Sequence, residues 1–175
     1  MGRAPDPTEL DAPDAARVDP RAARAVEELR RAGASIATAE SLTGGLVCAA
    51  LTSVPGASSV VFGGIASYSS DLKIRVLGVP ADVIAEHGTV AEQTALHMAD
   101  GARRVAGADV GVATTGVAGP DPTEGKPVGE VFVAVTRESV RLVRVFTFHG
   151  SREQVRRQAV ESALELVIEA LSGPE

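Results

Sequence analysis

Between Ser35 and Ser69 the chain reads as strand, tight turn, short apolar helix and strand, and this order constrains the fold more than any other stretch. Ser35 to Ala39 is a short extended candidate. Gly45 to Ser53 is an apolar helix stopped by Val54-Pro55-Gly56. Ser59 to Ser69 is a second strand, with Val60-Val61-Phe62 and Ile65-Ala66-Ser67-Tyr68 on either side of Gly63-Gly64. Strand, helix and strand in this order make one crossover unit.

The remaining punctuation extends the pattern. Residues 1–16 hold Pro5, Pro7 and Pro13 among Asp, Glu and Ala with no apolar period, and read as a flexible leader to a single domain over 17–175. A helix follows from about Asp19, with Pro20 in its first turn, Ala23, Ala25, Val26 and Leu29 on one face, and Gly33 as its stop. Leu72 to Leu77 and Pro80 to Glu86 are two short helices, and Thr89 with Glu92 forms a capping box for a longer one from Ala91 to Val105. Val110 to Thr115 is a third strand. Glu130 to Thr136 and Val140 to Phe148 form a hairpin, and Ser151 opens a final helix with Val155, Ala159, Ala163, Leu164, Val167, Ala170 and Leu171 facing a core. The predicted fold is α/β: one domain, a mixed five-stranded sheet covered by helices in α/β/α layers.

Composition removes several functional classes. The net charge is −6 and only 3% of the 175 residues are aromatic, with no Trp, which argues against a nucleic-acid footprint or base-stacking platform. The single Cys48 excludes an internal disulfide and a thiolate metal cluster, and its apolar surroundings read as packing. His87, His97 and His149 lack ligand spacing, so no metal is expected, and His97 reads as a partly exposed helix residue. No apolar run is long enough to span a bilayer and no signal peptide is visible, so the expected location is the cytoplasm.

Chemistry should lie in loops beyond strand ends, where open α/β sheets bind ligands. Four segments qualify: Glu40 to Gly45, Tyr68 to Lys73, Thr115 to Lys126 and His149 to Arg152. The first places Ser41 and Thr43 before Gly44-Gly45 at a helix start, where free N–H groups and the helix dipole favour a phosphate or an oxyanion. A simple helix cap by Ser41 or Thr43 is the plainer reading of that pattern alone. Lys73, by itself, reads as an exposed charge on a short helix; as a base it needs burial or a neighbouring cation to lower its pKa. The glycine pair is neither a P-loop nor a dinucleotide fingerprint, so ATP chemistry is not indicated.

Thr38-Ala39-Glu40-Ser41-Leu42-Thr43-Gly44-Gly45, Ser67-Tyr68-Ser69-Ser70-Asp71-Leu72-Lys73, Thr115-Gly116-Val117-Ala118-Gly119-Pro120, Lys126-Pro127-Val128-Gly129 and Gly150-Ser151-Arg152 occur in this order. This series resembles the CinA C-terminal domain family, the nicotinamide mononucleotide deamidases also called PncC, from about residue 19 onward. The resemblance implies a nicotinamide-nucleotide amidase of pyridine nucleotide salvage, with no metal or organic cofactor. It implies a serine and lysine pair at Ser41 and Lys73 with Tyr68 beside them, Thr115 as a further site position and Arg152 as a phosphate contact. Glu40, Thr43, Gly44, Gly45 and Gly116 complete the expected substrate-binding set. On this reading the Gly44 and Gly45 amides stabilise the oxyanion and Tyr68 relays a proton. Ser70 departs from the family's usual Asn.

The expected partners are a small nucleotide substrate and, from the resemblance, further copies of the chain; neither nucleic acid nor membrane is expected. Two rival functions stay open. Some relatives of this type carry a second, nucleotide-processing domain and are linked to competence and DNA damage, which leaves room for a non-catalytic interaction module, although this chain has no space for that domain. The other rival is an amidase of a different ribonucleotide.

Overall fold

The computed structural model describes residues 18–138 and 140–172; the expected leader lies outside the described residues. Helix α1 (Pro20–Ala32) starts where the Asp19 carboxylate accepts the Arg21 N–H at 2.7 Å and ends at Gly33. Its Ala22, Ala25, Val26 and Leu29 are buried, the i, i+3, i+4, i+7 stripe of a helix lying on a sheet.

Strand β1 (Ile36–Glu40) leads through helix α2 (Leu46–Thr52) and a 3₁₀ turn at Ala57–Ser59 to strand β2 (Val61–Ala66). The second strand is shorter than the sequence pattern predicts. Its expected first residue, Ser59, ends the 3₁₀ turn and Val60 follows as that turn's cap, while its expected last residue, Ser69, caps helix α3 (Ser70–Arg75) by accepting the Leu72 N–H. Helices α4 (Ala81–His87) and α5 (Glu92–Ala106) then lead to β3 (Val110–Gly116), the hairpin strands β4 (Glu130–Arg137) and β5 (Val140–Thr147), and α6 (Arg152–Ser172). The capping box expected at α5 does not form. Ala91 occupies the cap position, and Thr89 Oγ1 instead donates to Glu124.

The five strands run in the order β2-β1-β3-β4-β5. β1 is parallel to both β2 and β3, and β4 is antiparallel to β3 and β5. This is the mixed five-stranded sheet that the sequence predicts. Even-numbered side chains of β1 and β3 and odd-numbered ones of β4, among them Ile36, Val110, Val112, Val131 and Val133, pack against α1, α2 and α6. On the other face Ala37, Ala39, Ala113 and Ala134 meet α5 and the Leu77–Val79 segment. Small residues there let α5 approach closely: a Cβ on Gly111 would run into the Ala99 carbonyl.

The topology decides where a site can form. β1, β2 and β3 are parallel, so Glu40, Ala66 and Gly116 end at one edge of the sheet; β5 ends there too and delivers the start of α6. From β1 the chain crosses to β2 on one side and later returns to β3 on the other. Their shared crevice is a switch point of the kind that binds ligands, and Ser41 stands directly above it.

Candidate active site

Glu40 organises the turn that carries Ser41. Its side chain is on the α2 face of the sheet, 1% exposed, and its carboxylate accepts five hydrogen bonds. The donors are the hydroxyls of Thr38 (3.0 Å) and Thr43 (2.7 Å) and the N–H groups of Gly45 (2.8 Å), Val47 (3.0 Å) and Cys48 (2.8 Å). A strand carboxylate thus fills the anion position at the start of α2, and neither Ser41 nor Thr43 caps that helix. The chain folds back this sharply because Gly44 and Gly45 take φ of 62° and 103°, a region that side chains with a Cβ avoid.

Two members of the expected substrate set, Glu40 and Thr43, lie outside the cavity wall in this arrangement. Glu40 and Thr43 are buried and face inward, Thr43 Oγ1 also lying 2.7 Å from Thr114 Oγ1. The Gly45 amide is held by Glu40 at 2.8 Å and the Gly44 amide by a longer bond, 3.2 Å, to the Ser41 carbonyl. The N–H groups of Leu42 and Thr43 take no acceptor among the described residues.

Lys73 is brought to Ser41 from 32 positions along the chain. Its Nζ lies 3.1 Å from Ser41 Oγ and donates to the Ser67 carbonyl at 2.7 Å. The sequence pattern by itself reads it as an exposed charge, yet the residue is 1% exposed. Ser69 caps α3, and Lys73, in the last turn of this short helix, reaches back to the Ser67 carbonyl just beyond the β2 end rather than outward. Burial lowers the Lys73 pKa from an ordinary 10.5 to about 8, and the Glu124 carboxylate opposes that fall in part.

Ser41 opens into a cavity of about 240 Å³, walled by Leu42, Tyr68, Thr89, Val90, residues 116–119, Asp121, Thr123 and Arg152. Arg152 spans its mouth, Nη1 donating to the Gly119 carbonyl at 2.8 Å and Nη2 to the Tyr68 hydroxyl at 3.0 Å. Tyr68 is 64% exposed and its hydroxyl bonds to Arg152, not to Ser41 or Lys73, which gives no support to a direct proton relay. Thr115, 1% exposed, turns toward α5 and donates to the Thr89 carbonyl at 2.6 Å. The loop after β3 is tied down at its far end, where Glu124 accepts from the Thr89 N–H (2.7 Å) and hydroxyl (2.8 Å).

Of the residues singled out in the sequence, Ser41, Tyr68, Gly116 and Arg152 share the cavity and Lys73 reaches it through Ser41. Ser70, at the Asn position of the resemblance, is exposed at the start of α3. Sequence reasoning missed Thr89, Val90 and Arg156 as site residues, and reached Glu124 only as part of the Thr115 to Lys126 loop. Arg156 donates to the carbonyls of Leu42 and Thr43, each at 2.9 Å. Its only signal is a position one helical turn after Arg152, which reads as an ordinary solvated charge.

Among the described residues no helix is long and apolar enough to cross a membrane. A model of the CinA C-terminal domain matches residues 18–171. A relative from Desulforamulus reducens is 46% identical over 142 residues, 81% of this chain and 34% of its own. A CinA-like protein of Frankia casuarinae is 46% identical over 140 residues, 80% of this chain and 32% of its own. The chain therefore spans about a third of the length of the curated relatives it matches. Among solved structures, the competence/damage inducible protein CihA from Agrobacterium tumefaciens is 38% identical with a TM-score of 0.83, covering 87% of this chain and 94% of that one. With the family model covering every described residue but Ser172, and motifs and fold agreeing with it, the chain belongs to the CinA C-terminal domain family.

Proposed function

We propose that this domain is an amidohydrolase that converts nicotinamide mononucleotide and water to nicotinate mononucleotide and ammonia, with Ser41 as nucleophile and Lys73 as base. The observation that carries the reading is the Ser41–Lys73 pair: a hydroxyl open to a cavity, 3.1 Å from a buried amine whose pKa falls to about 8. An amine lowered that far is neutral in a useful fraction of molecules near neutral pH and accepts a serine proton.

In this mechanism Ser41 Oγ attacks the carboxamide carbon while Lys73 takes the hydroxyl proton. The tetrahedral intermediate places negative charge on the former carbonyl oxygen, for which the N–H of Leu42, a cavity-lining residue without a backbone acceptor among the described residues, is a candidate donor. Lys73 returns the proton to the nitrogen, the C–N bond breaks, ammonia leaves and a Ser41 ester remains. Water, deprotonated by the neutral Lys73, then cleaves the ester and frees the carboxylate and Ser41. The Arg152 guanidinium at the cavity mouth suits the phosphate, whose oxygens offer stronger acceptors than the Tyr68 hydroxyl and Gly119 carbonyl it holds here.

The test is ammonia release from nicotinamide mononucleotide, its dephosphorylated riboside and other amidated ribonucleotides. The expected result is turnover of the first and none by Ser41→Ala, which stays folded. Turnover of a different ribonucleotide alone reassigns the substrate; no turnover of any favours the non-catalytic interaction module.

A further inference from the structure

Arg156 reaches the nucleophile turn from behind the cavity. It is not part of the cavity wall, and both groups it bonds are backbone carbonyls of the two residues that follow Ser41. In a trans peptide the C=O and the next N–H point in opposite directions. Drawing the Leu42 carbonyl toward α6 therefore turns the Thr43 N–H away from α6. Drawing the Thr43 carbonyl the same way turns the Gly44 N–H away, onto the Ser41 carbonyl where it is found. The guanidinium passes close beside Gly44: a Cβ there would stand 3.5 Å from Nη2.

We propose that Arg156 is a positioning residue, a two-point clamp that holds the Ser41 turn so that Oγ stays within reach of Lys73. The role rests on the reading of Ser41 as nucleophile. The Ser41 N–H is fixed on the Thr114 carbonyl at 2.9 Å, but beyond it the bonds within the turn are long, Gly44 N–H to Ser41 C=O at 3.2 Å and Leu46 N–H to Thr43 C=O at 3.3 Å. Glu40 secures the helix side of the turn through Gly45, Val47 and Cys48, and Arg156 secures the Leu42 and Thr43 peptides that Glu40 does not reach. A planar guanidinium serves two adjacent carbonyls at once, which an ammonium does not reproduce.

The experiment compares wild type with Arg156→Ala, Arg156→Gln and Arg156→Lys for ammonia release and for the rate at which a fluorophosphonate labels Ser41. Loss of nucleophile alignment of this kind predicts a fall of roughly 10- to 100-fold in kcat. KM stays near its wild-type value, the labelling rate falls in parallel, and added methylguanidinium partly restores Arg156→Ala while Arg156→Lys stays impaired. Circular dichroism verifies folding, and Arg156→Lys carries the test if Arg156→Ala does not fold. Wild-type kcat and labelling in the folded variants overturn the clamp, as does a rise in KM with kcat intact. If wild type itself neither releases ammonia nor labels, the nucleophile reading falls first and the clamp with it.

Discussion

Replacing Lys73 by Met separates the cost of this amine to the fold from its use in the reaction. The fall of the Lys73 pKa from 10.5 to about 8 is worth about 3 kcal/mol against the charged form in the folded protein. Below pH 8 both folded and unfolded chains hold the proton, and wild type bears that whole penalty. Between about 8 and 10.5 the folded protein has released the proton while the unfolded chain keeps it, so wild-type stability rises with pH; above that range the contribution is flat. Methionine has a similar reach and no charge, so Lys73→Met lacks this rise, although it leaves the Ser67 carbonyl without its donor. The measurable quantity is the stability of Lys73→Met minus that of wild type, from urea unfolding followed by circular dichroism at pH 7 and pH 10.5, since the chain has no Trp. The difference is expected to shrink by about 3 kcal/mol over that interval, other titrating groups cancelling between the two proteins. Ammonia release should vanish in the variant, and wild-type kcat/KM should climb with pH and level off above about 8. A stability difference that stays constant with pH would refute the claim that Lys73 is a desolvated amine.

The other outcomes are more local. Arg152→Ala should raise KM for nicotinamide mononucleotide roughly 10- to 100-fold, in line with the loss of a charge-assisted phosphate contact, and leave the riboside unaffected. Equal effects on both substrates would place Arg152 elsewhere in the reaction. Glu124→Gln removes the carboxylate that holds the Lys73 pKa up, so the acidic limb of the pH profile should move to lower pH; an unmoved limb contradicts this. Glu40→Gln should destabilise the domain by about 2–4 kcal/mol in chemical unfolding, because one carbonyl oxygen and an NH₂ group cannot serve five donors in a buried site. Gly45→Ala meets no atom within 4 Å, so the roughly 1–2 kcal/mol it is expected to cost reports the backbone φ of 103° alone.

The order of elements was legible in the chain because it rests on local chemistry: Asp19 and Gly33 bound α1, the 3.6-residue apolar period marks α1, and the i, i+4 run of Val155, Ala159, Ala163 and Val167 marks α6. The same local signals place four loops at strand ends, and the common direction of β1, β2, β3 and β5 brings those loops to one end of the sheet. Where a polar residue has two possible partners, local pattern misleads. Thr89 looks like a helix cap but bonds Glu124, 35 positions away, because the loop after β3 folds back over it. Glu40 looks like a ligand contact on the rim of a turn. Its carboxylate is taken up by donors at the start of α2, since alternation along β1 sends its side chain to the α2 face.

The sequence alone determined which residue types are present for chemistry and, through the motif series, which family they belong to. The tertiary structure decided which of them are exposed, which are free and which are already bonded. Ser41 and Lys73 are separated by 32 positions, and nothing in either neighbourhood states that they meet at 3.1 Å or that the amine is buried. Burial and hydrogen-bond satisfaction depend on what packs from distant parts of the chain, and it is burial that turns an ordinary lysine into a candidate base. Arg156 is the same case in reverse: on its helix it is one more surface cation, and only the packing of α6 against the Ser41 turn makes it a clamp.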